Sequence, residues 1–127
     1  MWPKVSFALV IAVLSISAWA CGHCEEDLVA AVYDHALQMR TRQLKQNIMY
    51  MAWDGPVTRD ASTGRKLALL AAGVPGVTSG SVRVSVEPAA ISIAFDPVKT
   101  SRAKIEFILQ EKFSKMNVMV LPLPERR

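Results

Sequence analysis

Residues 82–95 read Val82-Arg83-Val84-Ser85-Val86-Glu87-Pro88-Ala89-Ala90-Ile91-Ser92-Ile93-Ala94-Phe95, and they contain two clean alternations. Val82, Val84 and Val86 fall on one side of an extended chain, with Arg83, Ser85 and Glu87 on the other. Ile91, Ile93 and Phe95 likewise oppose Ala90, Ser92 and Ala94. A period of two, with β-branched residues on the apolar side, marks half-buried strands. Glu87-Pro88-Ala89 joins the two as a hairpin turn.

The flanks complete the pattern. Upstream, residues 61–72 predict a helix burying Leu67, Leu70 and Ala71, stopped by Gly73 and Pro75. Before it, Asn47 to Trp53 predicts a strand that is apolar on both faces, as in the middle of a covered sheet. Asp54-Gly55-Pro56 ends that strand with turn chemistry. Downstream, Thr100 or Ser101 caps a helix carrying Ile105, Ile108, Leu109 and Phe113. Residues 115–121 predict a closing strand, ended by Pro122 and Pro124. The order β-α-β-β-α-β is that of an α+β, ferredoxin-like sandwich.

An extra helix is predicted over residues 25–45, with Glu25, Glu26 and Asp27 at its start and Arg40, Arg42 and Lys45 at its end. Val29, Val32, Ala36 and Met39 form its apolar stripe. The two core helices cover one sheet face, so this helix is expected on the other.

The first twenty residues have a different character. Lys4 precedes an apolar run from Val5 to Ile16, and Ala18-Trp19-Ala20 is a small-x-small cleavage signal. These are the parts of a secretory signal peptide. The expected organisation is therefore a signal peptide (1–20), a Cys21-to-Gln46 segment with the extra helix, the main domain (47–121) and a short tail (122–127). A periplasmic or secreted location follows. Cleavage would leave Cys21 first, and a membrane association is expected only if Cys21 is acylated; Ala18 and Trp19 match that processing signal poorly.

Charge excludes one class of partner. Of 15 basic and 11 acidic side chains, removal of Lys4 leaves a net charge of +3. The excess is scattered, and its densest group sits where a helix ends, so no nucleic-acid partner is expected.

Residues 47–121 resemble the heavy-metal-associated domains. The resemblance is carried by Pro75-Gly76-Val77, the Val82/Val84/Val86 strand, Ile91-Ser92-Ile93-Ala94-Phe95-Asp96-Pro97 and the Thr100-Ser101 helix start. The family's MxCxxC loop, between first strand and first helix, implies soft-metal binding such as copper(I). Here that loop reads Val57-Thr58-Arg59-Asp60-Ala61-Ser62-Thr63-Gly64, and the two thiol positions fall near Asp60 and Thr63. The family site is degenerate at its own position.

Both cysteines lie instead in Cys21-Gly22-His23-Cys24. Two thiolates and an imidazole are three good ligands for copper(I) or zinc, and Cys21, His23 and Cys24 are the candidate metal ligands. His35 lies eleven residues beyond Cys24, about 16 Å along a straight helix, and reads as a surface histidine. CGHC is also the tetrapeptide of disulfide isomerases, but no strand precedes it here. The helix N-terminus would favour a Cys21 thiolate while Glu25, Glu26 and Asp27 oppose it. Met49, Met51 and Met119 offer thioethers on neighbouring strands, a pattern that also suits a core.

No catalytic arrangement is evident, so an enzyme is not expected. The reading is an exported soft-metal-binding accessory protein acting through CGHC, with a metal ion, and a protein partner or second copy, as partners. Thiol-disulfide exchange and a non-catalytic binding module are the alternatives.

Overall fold

A computed structural model describes residues 24–124. Residues 1–20, expected to be a signal peptide, and Cys21, Gly22 and His23 lie outside the described residues, as does 125–127. The elements run α1 (Glu25–Val32), α2 (His35–Gln43), β1 (Asn47–Asp54), α3 (Ala61–Ala72), β2 (Arg83–Val86), β3 (Ala89–Phe95), α4 (Arg102–Ser114) and β4 (Met119–Pro122).

The four strands form one antiparallel sheet in the order β2-β3-β1-β4. This is the ferredoxin-like arrangement that the alternating strands and intervening helices predict. Alternation along β1 and β3 divides the sheet into two faces. Met49, Met51 and Trp53 of β1 and Ile91, Ile93 and Phe95 of β3 meet Leu67 and Ala71 of α3 and Ile105, Leu109 and Phe113 of α4. These residues form the main core. The Trp53 indole N–H, buried here, donates to the Ser85 carbonyl at 3.0 Å, so this donor is satisfied.

The opposite face carries the N-terminal segment. There α1 contacts β1, β2 and β3, α2 contacts β1, and Ala90, Ser92 and Ala94 are buried. Val32 and Leu37 are the buried anchors of α1 and α2. Each contributes about 1.5–3 kcal/mol of apolar burial.

The segment is not the single helix that the spacing of residues 25–45 predicts. Asp34 adopts an extended conformation and its carboxylate accepts the Leu37 N–H at 3.0 Å, starting a second helix. The same carboxylate receives Arg83 of β2 through Nε at 3.2 Å and Nη2 at 3.1 Å. This break resets the helical phase. Leu37 and Thr41 turn inward, while Ala36 and Met39, expected on the stripe, are exposed.

One other boundary departs from expectation. The last strand begins at Met119, not at 115. Residues before it form a turn in which Asn117 takes φ 58°, a left-handed conformation that asparagine tolerates. Outward from β4, the Val120 N–H is capped by Gln110 Oε1 at 2.9 Å, which blunts the sheet edge. At the Pro75-Gly76-Val77 corner, Gly76 has φ 88° and any Cβ there would overlap the Thr100 side chain. Glycine is required at that corner on both counts.

Candidate functional site

Two places bear on metal chemistry, and the first is the loop between β1 and α3. Asp60 is the N-cap of α3, and its carboxylate accepts the Thr63 N–H at 2.8 Å. Asp60 and Thr63 are thus joined to each other as a helix cap. This bond, more than the opposing desolvation, holds the Asp60 carboxyl below the usual carboxylate range. Just before the cap, the Arg59 guanidinium lies 4.3 Å from the centre of the Trp53 ring. It also donates to Asp54 Oδ1 at 3.0 Å. The Arg59 cation lies beside the loop, and the loop's own residues, Val57 to Gly64, include no sulfur or imidazole. These residues do not fit a soft metal ion.

The second place is the start of α1. Cys24 is exposed and takes the N-cap position, with φ −66° and ψ 153°. Its carbonyl accepts the Asp27 N–H at 2.9 Å and the Leu28 N–H at 3.1 Å. Its side chain makes no capping bond, so the cap does not engage the Cys24 sulfur. Glu25, Glu26 and Asp27 fill the first turn, as the sequence indicates. Cys21 and His23, the other candidate ligands, lie outside the described residues.

The remaining candidates do not converge. His35 is exposed at the start of α2, where its Nδ1 lies 3.2 Å from the Tyr33 hydroxyl. Met49 and Met51 are fully buried between the sheet and α3/α4. Met119 pairs with Asp54 but points to the exposed side. The methionines are therefore split between core and surface. Among the described residues, no group of three or more His, Cys, Asp or Glu side chains is placed to hold a metal. No described helix is long and apolar enough to cross a membrane.

Sequence reasoning missed the Arg59–Trp53–Asp54 cluster. Asp54-Gly55-Pro56 reads as a turn and nothing more, and five residues separate the ring from its cation. The bend at Pro56-Val57 brings them together.

Comparisons with known structures place the fold. The chain overlays a copper binding domain from HMA7, a P-type ATPase, with a TM-score of 0.51 and 15% identity, covering 63% of this chain and 97% of that one. It also overlays oxidized MerP from Ralstonia metallidurans CH34 with a TM-score of 0.48 and 18% identity, over 62% of this chain and 99% of that one. CopA from Bacillus subtilis gives 0.45 and 25%, over 60% and 90%. No family model matches the sequence, and no curated protein matches it. The fold is ferredoxin-like, as in the HMA7 domain. That domain is matched almost whole, while more than a third of this chain has no counterpart in it.

Proposed function

We propose that this is an exported, non-enzymatic soft-metal-handling protein that binds copper(I) or zinc through Cys21, His23 and Cys24. The observation that carries the reading is the state of Cys24. It is exposed at a helix start, and the cap leaves its side chain unengaged. A thiolate in that position suits a soft cation, and CGHC supplies a second thiol and an imidazole within three residues. The likeness to a copper binding domain supports metal handling; the Arg59 cation in the β1–α3 loop argues that the metal is held elsewhere. On this reading the chain is a signal peptide (1–20), a ligand-bearing segment (21–46) and a domain (47–121) that has kept the fold and moved the site. Three ligands leave zinc one short of its usual four, so a partner protein or second copy would complete its coordination. Its place is the periplasm or the exterior.

The experiment is a copper(I) and zinc titration of the reduced, metal-free protein against a competing chelator, beside a Cys21→Ser/Cys24→Ser variant. Stoichiometric binding lost in the variant supports the proposal. Equal binding by both proteins refutes it.

The exposed Cys24 also suits thiol-disulfide exchange. That second reading requires faster exchange with a small disulfide than a CGHC peptide shows, and equal rates would dismiss it.

A further inference from the structure

On the outer sheet face, where α2 crosses the start of β1, a cleft of about 180 Å³ opens beside the first turn of α4. Gln38, Thr41 and Arg42 of α2 line it, with Gln46, Tyr50 and Arg102. None of the described residues lining it is acidic.

The internal hydrogen bonds decide what the cleft can offer. Thr41 donates its hydroxyl hydrogen to the Leu37 carbonyl at 2.7 Å. Tyr50 donates to Gln38 Oε1 at 3.2 Å. Gln46 Oε1 accepts the Thr78 hydroxyl at 2.7 Å. The carbonyl oxygens of both glutamines are thus engaged, which leaves their amide nitrogens as donors. Arg102 donates one N–H to the Leu123 carbonyl at 3.0 Å and keeps the rest of its fork. Arg42 adds a second guanidinium.

The cleft therefore presents two cations and two amide donors. A cation would meet repulsion there, and an apolar ligand would strand the donors. Planar guanidinium forks match the paired oxygens of carboxylate and phosphate.

We propose that this cleft binds a small dianion, a phosphate monoester or a dicarboxylate, held between Arg42 and Arg102. The site is independent of the metal reading and shares no residue with it.

The test is an amide-resolved NMR titration of the purified protein with inorganic phosphate and, separately, with succinate, each against sodium chloride at matched ionic strength. The variant is Arg42→Gln, whose exposed side chain is not part of the core. The control is Arg65→Gln, an exposed arginine of α3 away from the cleft. Saturable shifts at Gln46, Asn47 and Ile48, weakened about 10-fold or more by Arg42→Gln and unchanged by Arg65→Gln, support the site. Saturation by phosphate alone assigns a phosphate ligand, and by succinate alone a carboxylate. Shifts that never saturate, that chloride reproduces, or that both variants weaken equally overturn the proposal.

Discussion

Leu37→Ala and Met39→Ala, made side by side, distinguish the broken helix from a continuous one. In a continuous helix through residues 25–45, Met39 belongs to the apolar stripe and Leu37 lies off it. The break at Asp34 inverts this. Leu37 is 4% exposed beneath α2, whereas Met39 is 42% exposed. Truncating a buried leucine removes its transfer energy and leaves a hole, costing about 2–3 kcal/mol where the covering layer is a single helix thick. For a domain of this size each kcal/mol lowers Tm by about 4–8 °C, so the fall is roughly 10–20 °C. An exposed methionine truncation stays within about 0.5 kcal/mol. Thermal and urea unfolding followed by circular dichroism measure both. A Met39→Ala loss equal to or greater than that of Leu37→Ala would refute the phase reset at Asp34. A negligible loss for both would mean that α2 is not part of the cooperative unit.

Other consequences test separate parts of the account. Arg59→Ala removes a cation from the Trp53 face and an ion pair with Asp54, and should cost about 1 kcal/mol and shift the tryptophan emission; an unchanged spectrum would deny the stacking. Gly76→Ala should destabilise by at least about 1–2 kcal/mol, because it meets both the positive φ and the Thr100 side chain. Adding Thr100→Ser removes the Cγ2 overlap but keeps the Thr100 Cβ 2.6 Å from the new methyl, so it should recover only part of that loss, and full recovery would show that neither the backbone nor the remaining contact carries a penalty. The Asp34 carboxyl is held below its ordinary range, first by the Leu37 N–H and then by Arg83. Because the folded form favours the carboxylate, the stabilisation is present above the unfolded aspartate pKa, about 3.9, and is lost as pH falls below it. Tm measured from pH 6 to pH 2.5 should therefore drop at the acid end, and Asp34→Asn should flatten that drop; parallel curves would remove Asp34 from the acid response.

The main fold was legible because its strands obey period two and its helices carry their stops. Val82 to Phe95, Gly73-Val74-Pro75-Gly76 and Ser101 each state their local structure without help from the rest of the chain. The N-terminal segment was less so. Val29, Val32, Ala36 and Met39 keep helical spacing straight through the break. The contrary signal is Asp34, a helix-capping residue three before Leu37, and its role becomes visible only with Arg83 of β2 as its partner. The onset of β4 slipped for a similar reason, since the left-handed turn at Asn117 interrupts an apolar run. At the candidate site, the absence of cysteine from Val57 to Gly64 could be read directly from the sequence. That Asp60 caps the Thr63 N–H, and that Arg59 stacks on Trp53, depends on the bend at Pro56-Val57 and was not in the spacing.

The claim that metal is held by the relocated CGHC ligands is tested most directly by X-ray absorption on the copper(I)-loaded protein. The account predicts a first shell of two sulfurs, with a further imidazole nitrogen from His23 that a His23→Ala variant removes. A shell of nitrogen and oxygen alone, or a spectrum untouched by Cys24→Ser, would contradict it.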